Sequence, residues 1–568
     1  MSIPGKFPGF IDLFPEDYQY RRSDHTYFLF IIIVLLAVYY TGLIACIRGD
    51  AVRYAAIARE MTRSHHFIDL QNRGGVPYMQ KPPLFMWISY LSFSIFGISN
   101  ISYKLPVLLI SLAGVFFTYR YSRLFYSKQI SRLACMFILT SFGFIFYHND
   151  VHTDTVLMTA VIFSTWQLSL FTRKKKFINL FWGFTGIGLG MMTKGPVGMV
   201  IPVFAIGTHL LLKRSWRMIF RLEYLAGLLI VIIVISPALL GLYRQFGTDG
   251  LIFYFWSNNA GRISGTLHSN SNDYFYYLHT LLWLFIPWSL FVVFGLFREI
   301  VSLSSKKFRL SDQEEGINIG GIFLFFLIIS ISKFKSPNYL IPIFPFFAII
   351  SAKWLINSIQ SYSKRFHRIF TGLNYTLVFL LWMGILIVGG LNFGDIPKWI
   401  KLIVVILLMM TLIMLFSQET GYTKFVKTAL LMVLALGIFF NSFICPLSYT
   451  YHAMYQASLL VNKHYTENER FIMFEPGKEN FSDDTFNFYL VPEPEFTDEI
   501  KFVLSMEDGW VFTRETGLQR LKENGILYDE ITRIPHLYFM NVKFLIPGSR
   551  ESVLSDYYLL RINRTGVD

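Results

Sequence analysis

The sequence predicts a polytopic α-helical membrane protein that carries a C-terminal α/β domain. Three observations lead there. Hydrophobic residues make up 54% of the 568-residue chain and charged residues only 15%, where a soluble protein carries about 25%. Apolar runs of bilayer length recur through the first 448 residues. Beyond residue 449 the pattern changes to short strand-like runs, with 19 acidic and 12 basic residues.

Thirteen spans follow from the apolar runs: 27–47, 104–119, 133–148, 155–171, 178–192, 197–212, 224–242, 276–297, 318–332, 337–356, 369–391, 400–416 and 426–446. The first, "YFLFIIIVLLAVYYTGLIACI", is too long for a signal-peptide core and no small-residue cleavage site follows it, so it is expected to be retained. The net charge of +14 does not point to nucleic acid. Basic residues cluster at the ends of apolar runs: Arg120 to Arg132, Arg173 to Lys176, Lys213 to Arg217, Arg298 to Arg309 and Lys364 to Arg368. That is the distribution of cytoplasmic loops. Arg21 and Arg22 put the N-terminus on the same side, and an odd number of spans puts the acidic tail on the other.

Residues 48–103 then form a long first extracytoplasmic loop. Within it "AVRYAAIAREMTR" reads as an amphipathic helix on the membrane surface, with Val52, Ala55, Ala56, Ala58 and Met61 on its apolar face. "LFMWISYLSFSIFG" (84–97) is apolar but short, and is expected to be interfacial or re-entrant. In the tail, "RFIMFE", "FNFYLV", "KFVLSM", "GWVFTR" and "VKFLIPG" read as strands and "ETGLQRLKENG" as a helix ended by Gly525. The expected division is a membrane domain over 1–448 and a soluble domain over 449–568. Cys46, Cys135 and Cys445 lie in or beside apolar runs, without metal spacing or a disulfide framework.

The same topology gathers polar residues on one side: Asp50, Arg53, Tyr54, Tyr78, Lys81, Asp154, Lys194, Arg262, His268, Lys333, Lys335 and Tyr339. Charges beside a bilayer core are costly and usually have partners or functions. The plain alternative is anchoring, since lysines and tyrosines snorkel to headgroups. For Asp154, in "HTDTVLM", it is a helix cap. Several cations beside lipid suggest an anion, and phosphate is the lipid-borne one. A carboxylate among them suits a general base. "YMQKPPLFMW" places Lys81 before two prolines that disfavour helix through it and permit one just after. No nucleotide-cradling loop and no Cys/His metal cluster is present in the sequence.

Five motifs in order, "GDAVRYAAIAREM" with "PYMQKPPLFMW", then "DVHTDTVLM", "GLGMMTKGPVGMVIP" and "KSPNYLIPIFP", resemble the signatures of the GT-C glycosyltransferases. The resemblance is to the aminoarabinose transferase branch, related to the protein O-mannosyltransferases, and covers about residues 45–345. It implies a GT-C fold with about thirteen helices and a C-terminal extracytoplasmic domain, in a bacterial inner membrane. It implies a polyprenyl-phosphate sugar donor and no nucleotide or redox cofactor. Lys81 would hold the lipid phosphate, with Arg53, Tyr54, Tyr78, Lys194 and Tyr339 around it. Asp50 and Asp154 would be the two acidic catalytic positions. "NNAGRISGTLHS" would supply Arg262 and His268, and "KSPNYLIPIFP" would supply Lys335. The family often shows an acidic pair in the first loop, and here Gly49 and Ala51 flank Asp50. One carboxylate remains, which names no metal ligand set and leaves a divalent cation open.

The leading expectation is a glycosyltransferase acting on an envelope glycolipid of the lipid A type, with protein O-glycosylation second. A transporter would show inverted repeats and midplane charges; no repeat is visible. A structural envelope protein would leave the charged set without a role.

Overall fold

The computed structural model describes residues 22–267, 269–361, 364–418, 421–467, 469–475, 484–528 and 530–563. Among them, eight helices are long and apolar enough to cross a membrane: Asp24–Ile44, Asn100–Ser122, Thr153–Lys174, Trp216–Ser264, Pro337–Ser358, Arg368–Leu391, Lys398–Phe416 and Thr423–Thr450. Lys128–Leu139 and Phe142–Asn149 make a further crossing if the pair, bent by 46°, is one span. The remaining predicted spans fall on other helices. Phe177–Lys194 covers 178–192. Val197–Leu212 and Ile317–Ile331 are apolar but short. The run at 276–297 is not one continuous helix; it breaks between Leu284 and Ser289, where Pro287 has no amide hydrogen to donate.

Glycines set the tightest packing. Thr153–Lys174 lies along Phe177–Lys194, and a methyl group at Gly183 or Gly186 would strike Leu168 or Ser164 at 2.6 and 2.9 Å. Small residues let helix backbones approach in this way. A methyl group at Gly198 would lie 2.2 Å from the carbonyl carbon of Gly190. Between those two glycines the chain reverses at Gly195, whose φ of 76° favours glycine. Lys194 is the residue immediately before this reversal.

In the first loop, Gly49–Ser64 is a helix whose predicted apolar face is buried, together with Tyr54 and Ile57. It does not lie bare on a membrane surface. The 13-residue helix Leu84–Phe96 covers one side and the segment Asp484–Tyr489 another. Between them, β1 (Gln71–Asn72) and β2 (Val76–Pro77) form a two-residue antiparallel ladder.

The C-terminal region is a five-stranded mixed sheet of β3 (Arg470–Phe474), β4 (Pro494–Thr497), β5 (Asp508–Arg514), β6 (Glu530–His536) and β7 (Ser555–Asn563). The order is β4-β3-β5-β7-β6; β3 runs parallel to β4 and β5, and β7 antiparallel to β5 and β6. Alternate residues of β3 face opposite sides, as a pleat requires. Phe471 and Met473 pack with Met454 and Val461 of helix Ala453–His464. Ile472 and Phe474 pack with Leu518 and Leu521 of helix Glu515–Glu523. That helix and the strands at "RFIMFE" and "GWVFTR" match the sequence expectation. "FNFYLV", "KFVLSM" and "VKFLIPG" do not: they lie in the helical segments Asp484–Tyr489, Ile500–Leu504, Val542–Leu545 and Pro547–Arg550. Apolar runs of six residues fit a buried strand or a buried helical turn equally, and tertiary packing decides.

Candidate active site

The motif cations converge on a cavity of about 220 Å³ between the first loop and the ends of three helices. Lys81, Asp154, Lys194, Asn258, Asn259, Arg262, Ser332 and Tyr339 supply its polar wall. Val197, Val200, Ile263, Phe325, Ile328 and Ile329 supply an apolar one.

Lys81 sits in a turn that starts helix Leu84–Phe96. Pro83 occupies its N-cap and accepts from the Trp87 amide at 2.9 Å. Asn258 Nδ2 donates to the Gln80 carbonyl at 3.3 Å, tying the turn to helix Asn258–Ser264. Among the described residues Lys81 has no hydrogen bond or ion pair. Its pKa is pushed down to about 7, first by burial and then by the Lys194 and Arg262 charges. An ammonium so placed is short of negative charge.

Asp154 lies in the first turn of helix Thr153–Lys174 and is 1% exposed. His152, not Asp154, occupies the N-cap position. The Asp154 carboxylate instead accepts from Lys194 Nζ at 2.5 Å and from Asn338 Nδ2 at 2.6 Å. Lys194 also lies 4.1 Å from the centre of the Tyr339 ring. Arg262 donates to the Tyr339 hydroxyl at 2.8 Å and to Asn258 Oδ1 at 3.0 Å. Apart from Lys81, each polar side chain of this wall has a neighbour as partner, so most of its geometry is set before any ligand enters.

Asp50 and Arg53 stand one turn apart on helix Gly49–Ser64, with Nη1 to Oδ1 at 3.4 Å. The Asp50 side chain is 51% exposed, the most accessible carboxylate of the set. Arg53 Nε donates to Asp484 Oδ2 at 2.7 Å, and Asn72 Nδ2 donates to Asp484 Oδ1 at 2.5 Å. Tyr78 is buried with no hydrogen-bond partner for its hydroxyl, and its pKa is raised by that burial. Tyr54 packs edge-on against Phe85, 5.6 Å between ring centres, on the helix that Lys81 precedes.

Asp50, Arg53, Tyr54 and Tyr78 stand outside the cavity lining, and so does Lys335. Lys335 is buried, and its ammonium donates to the Ser330 and Ser332 carbonyls, both at 2.6 Å, at the end of helix Ile317–Ile331. His268 lies outside the described residues. Among those, no group of three or more metal-ligating side chains forms. Sequence reading missed Asp484, Asn72, Asn258 and Asn338. The last two stand inside quoted motifs and drew no notice because they carry no charge. Nothing in the sequence marks Asp484, which reaches Arg53 only through the fold.

The described geometry matches a known architecture. ArnT from Cupriavidus metallidurans, solved bound to undecaprenyl phosphate, superposes with a TM-score of 0.69 over 94% of this chain and 98% of that one, at 16% identity. The chain has the GT-C fold of that protein. Sequence similarity to curated proteins covers part of the chain. The undecaprenyl phosphate-alpha-4-amino-4-deoxy-L-arabinose arabinosyl transferase of Edwardsiella ictaluri is 28% identical over 312 residues, 54% of this chain and 55% of that one. An uncharacterized protein of Aquifex aeolicus is 28% identical over 336 residues, 58% of this chain and 64% of its own. The matched segment therefore spans between about half and two thirds of these relatives. A family model for dolichyl-phosphate-mannose-protein mannosyltransferase matches residues 80–240. That segment begins one residue before Lys81 and contains Asp154 and Lys194 of the cavity.

Proposed function

We propose that the chain is an integral-membrane glycosyltransferase that moves a sugar from a polyprenyl phosphate to an extracytoplasmic acceptor. The observation that carries this is the unpaired Lys81 ammonium on a cavity walled by cations on one side and apolar residues on the other. Such a wall suits a phosphate attached to a lipid chain.

In this reading the acceptor oxygen bonds to the anomeric carbon as that carbon's bond to the phosphate oxygen breaks. The electron pair stays on the departing lipid phosphate. Lys81 and Arg262 stabilise the charge that collects there, the largest single demand of the step. Asp50, exposed and beside the cavity's cationic wall, takes the proton when the acceptor is a hydroxyl. When the acceptor is a phosphate, already ionised, Asp50 orients it. Asp154 is a positioning residue, since both its oxygens are engaged by Lys194 and Asn338. Arg53 and Tyr78 complete the donor side. Lys335, engaged by the Ser330 and Ser332 carbonyls, carries no role in the transfer step.

The motif resemblance to the aminoarabinose transferase branch favours an envelope glycolipid of the lipid A type as acceptor, and the name of the Edwardsiella ictaluri relative supports an undecaprenyl-phosphate-linked donor. The charge distribution favours a multi-pass protein of the bacterial inner membrane with a cytoplasmic N-terminus, and with the cavity and C-terminal sheet outside. Mass spectrometry of glycolipids and glycoproteins with and without the protein tests the proposal. Loss of one sugar from the lipid A fraction is expected. Loss from proteins alone would move the acceptor to the mannosyltransferase-like alternative. No change, together with no consumption of polyprenyl-phosphate sugar by purified protein, would end the enzyme reading.

A further inference from the structure

Two of the basic clusters in the sequence meet in space. Helix Thr153–Lys174 carries Asp154 at one end and runs 22 residues to Lys174, so its other end lies about 33 Å from the cavity. There it ends beside Val197–Leu212, and the turn Trp216–Ile219 packs against the latter. The three segments enclose a recess of about 960 Å³ lined by Arg173, Lys175, Lys213, Arg214, Arg217 and Arg221. Asp312 is the one acidic residue on its wall.

Three of these cations have ordinary structural work. Arg173 Nη1 donates to the Leu124 carbonyl at 2.8 Å and sits 4.2 Å from the centre of the Phe125 ring. Lys213 donates to the Asp312 carbonyl at 2.8 Å, and Arg221 pairs with Glu223. The side chains of Lys175, Arg214 and Arg217 have no hydrogen bond or ion pair among the described residues. Lys175 and Arg214 also hold left-handed backbone, φ 53° and 52°, which glycine adopts freely and long side chains rarely do. Cytoplasmic loops are basic as a rule, but that rule asks only for charge near the membrane. It does not fold three segments around one concavity and leave the cations unneutralised.

The surroundings say how a ligand would arrive. Phe220 and Leu222, beside the recess, are 77% and 78% exposed, and the chain continues directly into the apolar span of Glu223–Ile252. The recess therefore adjoins a surface suited to acyl chains. We propose that it binds the phosphate headgroup of an anionic membrane phospholipid, most favourably a doubly phosphorylated one. Cationic recesses between helices bind such headgroups through charge and bidentate arginine contacts. The site is separate from the Lys81 cavity and does not depend on the transfer reaction.

Native mass spectrometry of the full chain released from detergent tests this, with cardiolipin, phosphatidylcholine and inorganic pyrophosphate as probes. The wild type is expected to retain cardiolipin over phosphatidylcholine. Arg214→Gln with Arg217→Gln is expected to reduce that retention about thirtyfold, as loss of two headgroup contacts implies. Lys307→Gln with Arg309→Gln, equal in charge but outside the recess, is expected to leave it unchanged. If the double variant unfolds in a thermal scan, Lys175→Gln, which leaves the 212–219 turn intact, must show a loss of the same direction. Equal retention in wild type and recess variants, or equal loss in the control pair, overturns the site. Displacement of cardiolipin by pyrophosphate at comparable concentration shows a soluble anion to be the ligand and overturns the lipid assignment.

Discussion

Arg53 of the first loop donates from Nε to Asp484 of the C-terminal region at 2.7 Å, across 431 residues of sequence. Asp484 is 3% exposed at its side chain, and its second oxygen accepts from Asn72. The aromatic residues that follow extend the same junction. Phe488 stacks on Phe93 with ring centres 6.1 Å apart, and the Tyr489 hydroxyl donates to Asn100 at 2.7 Å. Arg59 Nη1 donates to the carbonyls of Asn487, Phe488 and Leu490. The C-terminal region is thus built into the loop that carries Asp50, Arg53 and Lys81.

Asp484→Ala is expected to free Arg53 and leave Asn72 without its acceptor. Losing hydrogen bonds to a charged group costs about 1.5–3 kcal/mol. The expected outcome is a lower unfolding temperature in detergent together with weaker donor binding. Asp484→Asn, which keeps the shape and an acceptor oxygen, falls between the two. Unchanged donor binding in Asp484→Ala would separate this junction from the site.

Phe488→Ala is expected to loosen the junction without touching a polar group. Truncating a buried phenylalanine costs about 3–5 kcal/mol. Limited proteolysis should cut the variant between residues 464 and 494 faster than the wild type. An equal rate would mean that the sheet region holds its place without this wedge.

Asp154→Asn is expected to be costly out of proportion to its size, because it leaves Lys194 buried beside Arg262 without a counter-charge. Breaking one partner of a buried pair costs about 3–5 kcal/mol. Asp154→Asn with Lys194→Met removes both charges and is expected to recover much of the stability while turnover stays low. Thermal unfolding and turnover, measured on the same preparations, separate the two effects.

Donor binding is expected to weaken as pH rises above about 7. The free Lys81 ammonium has its pKa pushed down to about 7 by burial and by Lys194 and Arg262. A bound phosphate raises it, so binding takes up a proton wherever free Lys81 is neutral, and affinity falls by up to about tenfold per pH unit in that window. Undecaprenyl phosphate is already mostly dianionic there, its second pKa being about 6, and the sugar-linked donor, a phosphate diester, carries one negative charge throughout. Lys81→Arg, which stays charged, is expected to flatten the profile. A titration of undecaprenyl phosphate across the same range checks both.

Much of the site was legible in the sequence because its motifs carry charges and prolines at fixed places: Lys81, Asp154, Lys194, Arg262 and Tyr339 do surround one cavity. The apolar runs were equally legible as helices. What stayed hidden depends on distant packing. Asp484 is an ordinary acidic residue until the fold brings it to Arg53. Lys335 resembles a binding cation until two carbonyls at the end of a helix claim its ammonium. "FNFYLV" reads as a strand in isolation and becomes a helix because Phe488 and Tyr489 must both reach the first loop.

The most direct measurement is the affinity of undecaprenyl phosphate for wild type, Lys81→Ala and Asp50→Asn in detergent near neutral pH. Loss of a charge-assisted contact predicts binding about tenfold to a hundredfold weaker in Lys81→Ala. Asp50→Asn should bind as the wild type does and lose turnover. Wild-type affinity in Lys81→Ala would show that this lysine is a headgroup anchor and not the phosphate site.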